Sequence, residues 1–168
     1  YRARQLNMKR DVALKVLHPR WVEDDEFRKR FLLEARIVGK MSHRNLIQVF
    51  DIGHHKRVYY FSMELIEGRT VQQDLRSGRF EIPRAIDISI QVADAIDYLR
   101  GLNLVHRDIK PSNILLTHRD VAKLGDFGFV KSRLDSELAQ EDYILGTPDY
   151  ISPEQAIGDA NLDYRSDI

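Results

Sequence analysis

Apolar positions along this chain change period several times, and each change marks an element. Asp11 to Leu17 sets Val12, Ala13, Leu14, Val16 and Leu17 around one lysine, which predicts a strand closed by His18-Pro19. Asp24-Asp25-Glu26 then places three acids where a helix exposes its first N–H groups. Phe27, Phe31, Ala35 and Val38 follow at helical spacing and give that helix one apolar stripe. Ile47 to Ile52 and Val58 to Met63 predict a hairpin turning through Gly53-His54-His55-Lys56. Glu64 to Gly68 has the character of a linker, and Thr70 that of a cap for a short helix ending at Ser77-Gly78.

Pro83 suits the first turn of a long helix running to Leu102. Ile88, Val92, Ala95, Leu99 and Leu102 form one stripe on it, and Ile86, Ile90 and Ala93 a second. So broad an apolar face predicts burial against several neighbours. Short strands are expected at Ile114–Leu116 and Val121–Leu124. Phe129 to Leu145 has no clean period and is expected to be a long loop, of the kind that often carries function.

Composition narrows the picture by exclusion. The 168 residues carry 26 Lys and Arg against 26 Asp and Glu, so nothing attracts the chain in bulk to nucleic acid or to an anionic membrane. The absence of cysteine rules out disulfides, thiolate catalysis and cysteine zinc sites, and fits a reducing, cytoplasmic location. No apolar run approaches the length of a membrane span. His54 and His55 are adjacent in the expected turn, so their side chains diverge into solvent and do not suggest a metal site.

Candidate chemistry concentrates in His106-Arg107-Asp108-Ile109-Lys110-Pro111-Ser112-Asn113, which sets an acid, a lysine and an amide in one short loop. Asp126-Phe127-Gly128, Gly146-Thr147-Pro148 and Ser152-Pro153-Glu154 follow in order, and Val12-Ala13-Leu14-Lys15 precedes them. Taken singly, Lys15 would be an exposed strand lysine and Gly-Thr-Pro a plain turn. Glu34 is harder to dismiss. It lies three residues after Phe31 and four before Val38, on the apolar side of its helix, where an acid needs a partner.

The ordered set resembles the protein kinases of the Ser/Thr type, and Ser-Pro-Glu-Gln with Val-Ala-Leu-Lys-Val-Leu resembles their bacterial branch. Tyrosine kinases usually place Ala-Ala-Arg or Arg-Ala-Ala where this chain has Ile-Lys-Pro-Ser. The resemblance implies an α+β, two-lobed fold. Residues 1–64 would belong to a small β-rich N-lobe with one helix, and 65–168 to a larger, mainly helical C-lobe. It implies transfer of the ATP γ-phosphate to a serine or threonine hydroxyl of a protein substrate, with Mg²⁺, in signal transduction.

By residue, the resemblance makes Asp108 the base toward the hydroxyl and Lys110 a neutraliser of the moving phosphoryl group. Asn113 and Asp126 become Mg²⁺ ligands, and Lys15, oriented by Glu34, holds the α- and β-phosphates. Thr147 would bond near Asp108 and Lys110. Met63 would back the adenine pocket, the Glu64 carbonyl and Ile66 amide would pair with the base, and Ala13 and Leu115 would sandwich it. Asp167 would anchor the backbone around His106. Glu154 would pair with an arginine from helices not present here.

The resemblance also implies a core truncated at both ends. Tyr1-Arg2-Ala3-Arg4 resembles the strand just after the family's glycine-rich loop, and Ile168 falls where the central helix of the large lobe would begin. Two rival readings follow: a pseudokinase or scaffold that binds nucleotide or protein without turnover, and an inactive fragment. Intact Lys15, Asp108, Asn113 and Asp126 argue against the first.

Overall fold

The computed structural model describes residues 1–127, 131–132, 148–159 and 161–168. They divide into two units, Tyr1–Glu67 and Gly68–Ile168. The first holds β1 (Arg2–Gln5), β2 (Arg10–Val16), α1 (Asp25–Gly39), β3 (Val49–His55) and β4 (Val58–Glu64). The strands form one antiparallel sheet in the order β1-β2-β4-β3. Asp24 caps α1, its Oδ1 accepting from the N–H groups of Glu26 and Phe27. The expected stripe is largely buried: Phe31, Ala35 and Val38 are covered, and the Phe31 ring lies 5.1 Å from that of Phe61 in β4. Phe27 is half-buried and stacks on Trp21 at 4.1 Å.

The hairpin of β3 and β4 departs from expectation. Its strand begins at Val49, not Ile47, although Ile47 is buried. Gly53, His54 and His55 are not turn residues; they belong to β3 and pair with Tyr60, Tyr59 and Val58. The turn is Lys56-Arg57 alone, because Lys56 takes the left-handed conformation at φ 53° and reverses the chain within two residues. Gly53 serves packing: a Cβ there would stand 2.6 Å from the Tyr60 ring. Both histidines are exposed, and His54 stacks on Tyr59.

The second unit holds β5 (Gly68–Thr70), α2 (Val71–Ser77), α3 (Ile82–Gly101), β6 (Leu104–Val105), β7 (Ile114–Thr117), β8 (Ala122–Leu124), β9 (Lys131–Ser132) and α4 (Pro153–Ala156). One sheet runs β5-β7-β8; β6 pairs with β9. Thr70 caps α2 as expected, in a reciprocal box with Gln73. Gly68, expected in a linker, opens β5 and pairs with Thr117. The β6 and β9 strands, two residues each, have no period from which to be read. Most of the long loop expected at 129–145, and Thr147, lie outside the described residues.

Helix α3 buries Ile88, Val92, Ala95, Ile96 and Leu99 and contacts β6 and β8. The second stripe does not follow. Ile86 and Ile90 are more than half exposed, and Ala93 and Leu102 are exposed too. The described residues of this unit cover one side of the helix, so periodicity alone overstates its burial. On the covered side Gln91 grips the β7–β8 turn: Nε2 donates to the Asp120 carbonyl at 3.0 Å, and Oε1 accepts from the Ala122 N–H at 2.9 Å. Arg84 adds bonds to the Asp120 carboxylate and to Asp74. The first unit's antiparallel sheet with its single helix and the second unit's helices with short strands make the α+β architecture expected above.

Two outcomes follow for stability. A Cβ at Gly68 would fall 1.8 Å from the Leu116 carbonyl oxygen, a backbone atom that cannot yield without loss of β5–β7 pairing. Gly68→Ala is expected to cost about 1–3 kcal/mol or more in denaturant unfolding; an unchanged midpoint would show that the pairing tolerates the shift. The hydrogen bond from Arg84 holds the Asp120 carboxyl below its ordinary range. A depressed acid contributes stability above the unfolded value, near ~3.9, and loses it as pH falls through the folded one. Asp120 is half exposed, so the contribution is about 0–1 kcal/mol. Acid unfolding curves of Arg84→Leu should therefore lack a small share of the wild-type loss below about pH 4.

Candidate active site

In the first unit, Ala13 and Lys15 stand two residues apart on β2 and so project from the same face of the sheet. Their Cα partners on β4 are Met63 and Phe61. Helix α1 brings Glu34 to this face, with Oε1 3.1 Å from Lys15 Nζ. The Glu34 side chain is 12% exposed and that of Lys15 30%. A carboxylate so covered needs a cation, and the lysine, whose ammonium also lies 5.7 Å from the Phe61 ring centre, supplies it. Glu64 ends β4 with its N–H donating to the Gln48 carbonyl at 2.8 Å, and Ile66 follows two residues on.

In the second unit, Asp108 is buried and tightly gripped. Lys110 Nζ lies 2.6 Å from its Oδ2, and Asn113 Nδ2 donates to Oδ2 at 2.8 Å and to the Asp108 carbonyl at 2.9 Å. Acid, lysine and amide thus form one cluster. The backbone leading into it is equally constrained. Asp167, also buried, accepts from the His106 N–H at one oxygen and from the Arg107 N–H at the other, both at 2.7 Å. Burial pushes the Asp167 carboxyl up from its ordinary value, against the opposing effects of those two N–H groups and the Arg107 charge. Burial also pushes the Arg107 guanidinium down, with Asp167 opposing.

His106 is fully buried. Its Nδ1 accepts from the Asp108 N–H at 3.3 Å, and Nε2 faces the Gly125 carbonyl at 3.1 Å. The ring therefore carries its proton on Nε2. Its centroid is 5.2 Å from that of Phe127.

Asn113 and Asp126 flank the β7–β8 hairpin. The Gly125 N–H donates to the Asn113 carbonyl at 2.9 Å, which closes the base of the hairpin and sets Asp126 beside it. Asp126 is exposed and left-handed, at φ 61°. One neutral and one charged hard oxygen suit Mg²⁺, which commonly takes one or two protein ligands and completes its shell with water and phosphate. Leu115 lies half-buried in β7. Thr147 lies outside the described residues.

Sequence reasoning did not single out Gln155. It is buried, and its Nε2 donates to the Arg107 carbonyl at 2.9 Å across 48 residues. The Ser-x-x-Gln capping signature was legible but says nothing of this second bond. Glu154, read above as needing a partner from later helices, accepts from Ser166 Oγ at 2.9 Å.

The protein kinase domain family matches residues 1–168. A probable serine/threonine-protein kinase of Clostridium acetobutylicum is 36% identical over 169 residues, covering 100% of this chain and 26% of that protein. The serine/threonine-protein kinase PknL of Mycobacterium tuberculosis is 39% identical over 100% of this chain and 42% of its own length. The serine/threonine-protein kinase PrkC of Bacillus subtilis is 35% identical over 94% of this chain and 24% of its own. The chain thus spans less than half the length of each of these relatives. With its family match running from the first residue to the last, this chain belongs to the protein kinase domain family.

Proposed function

We propose that this chain is the core of a serine/threonine protein kinase, which transfers the γ-phosphate of ATP to a serine or threonine hydroxyl of a protein substrate. The carrying observation is the Asp108–Lys110–Asn113 cluster on a backbone held by Asp167. The serine/threonine assignment rests on Lys110, on Gly146-Thr147-Pro148 and on the names of the relatives.

In the proposed reaction the substrate hydroxyl oxygen bonds to the γ-phosphorus as the bond from that phosphorus to the ADP oxygen breaks. Asp108 accepts the hydroxyl proton. Lys110 stabilises charge on the transferring group, and Thr147 hydrogen-bonds near Asp108 and Lys110. Lys15, set by Glu34, binds the α- and β-phosphates. Met63, Glu64, Ile66, Ala13 and Leu115 hold the adenine. Asn113 and Asp126 would hold Mg²⁺, which when bound neutralises phosphate charge. The lack of cysteine fits a cytoplasmic location, and no helix among the described residues is long and apolar enough to cross a membrane.

Two measurements on the protein carrying this domain check the reading. Asp108→Asn should lower phosphotransfer by roughly 10²–10⁴-fold and leave ATP binding nearly intact, because the residue acts on the hydroxyl. Transfer of labelled γ-phosphate within a few-fold of wild type would remove Asp108 from the chemistry. Lys15→Met and Glu34→Ala should be non-additive in a double-mutant cycle on kcat/KM, since each abolishes the same pair; additive losses would give Glu34 a separate role.

A further inference from the structure

We infer that Gln155 is a positioning residue for Asp108: it holds the carbonyl of the peptide leading into the base and thereby ties the Ser152-Pro153-Glu154-Gln155 segment to phosphotransfer. The inference rests on the phosphotransfer reading. Gln155 is the third residue of α4 and completes a capping box. Its own N–H donates to Ser152 Oγ at 3.3 Å, and its Oε1 accepts from the Ser152 N–H at 3.1 Å. That task needs only the side-chain oxygen. The amide nitrogen does something else, donating to the Arg107 carbonyl from a residue that is 7% exposed.

The held carbonyl belongs to a residue in an unfavourable conformation. Arg107 has φ 69°, a left-handed backbone that side-chain-bearing residues adopt only when their surroundings impose it. Asp167 grips the N–H groups of His106 and Arg107, which lie on the earlier peptides. The Arg107–Asp108 peptide plane is held at its N–H edge by His106 Nδ1, at a long 3.3 Å, and at its carbonyl edge by Gln155, at 2.9 Å. Of these two bonds, Gln155 supplies the shorter. Rotation of the plane moves the Asp108 Cα and with it the carboxylate, and misplacement by about 1 Å can cost on the order of 10²-fold in rate.

Glutamate separates the two roles of the side chain. It serves the third position of a capping box as well as glutamine does. It also has nearly the same shape, but it brings a carboxylate oxygen to the Arg107 carbonyl in place of a donor. Gln155→Glu should lower kcat by about 10²-fold, with KM for ATP at the wild-type value. Hydrogen exchange at the amides of residues 106–108 should speed up. Gln155→Met, which keeps length without charge or donor, should follow it, and it carries the test if the glutamate variant does not fold. Ser152→Ala, which loses the box hydroxyl but keeps the Gln155 amide, should lower the thermal midpoint while kcat and exchange stay at wild type. Wild-type kcat in both folded Gln155 variants, or unchanged exchange at 106–108, overturns the inference. A wild-type protein that transfers no phosphate overturns the phosphotransfer reading instead, and the exchange measurement still decides whether Gln155 holds this backbone.

Discussion

The buried backbone through His106, Arg107 and Asp108 is the constraint on which the second unit depends. It passes through a left-handed arginine, a conformation that costs about 1–3 kcal/mol unless its neighbours impose it. Its polar groups are buried or part-buried, so leaving one unpartnered is costly. The partners come from afar: Gly125 lies 19 residues from His106, Gln155 48 from Arg107, and Asp167 61 from His106. The backbone leading into Asp108 is thus held by three distant segments, none of which can move without releasing a hydrogen-bonding group.

The same logic governs the charged side chains. Asp108 is 7% exposed with a lysine at 2.6 Å, and Glu34 has its lysine at 3.1 Å. Burying one carboxylate without a cation would be costly, and removing either lysine would leave that charge behind. These pairs are weak evidence for stability, since apolar packing could fill the same space. Arg84, Asp74 and Asp120 form a further charged cluster, which fastens the β7–β8 turn to helices α2 and α3.

Much of the fold was legible because its signals are local. Asp24, the stripe of Phe31, Ala35 and Val38, and the Thr70 cap each depend on neighbours within a few turns. The misreadings arose where the deciding neighbour is remote. Gly53 looked like a turn glycine, yet its smallness serves the Tyr60 ring on the paired strand, while Lys56 makes the turn at a left-handed angle no composition rule favours. Ile86 and Ile90 looked like core because helical period gives a face without saying whether anything covers it. Two-residue strands such as Leu104–Val105 exist only through their pairing.

The sequence by itself determined the candidate chemistry: Lys15, Asp108, Lys110, Asn113 and Asp126 lie in ordered motifs, and Glu34 betrays itself as an acid on an apolar stripe. Motif spacing carries that information because the candidate groups sit on short, contiguous segments. Only the tertiary structure decided how the groups are held. It set the His106 tautomer through Gly125, gave Glu154 a hydroxyl from Ser166, and turned a capping glutamine into a clamp on Arg107. Those bonds join residues 12 to 48 positions apart, and a side-chain amide in a linear sequence carries no mark of the distant carbonyl that burial will oblige it to satisfy.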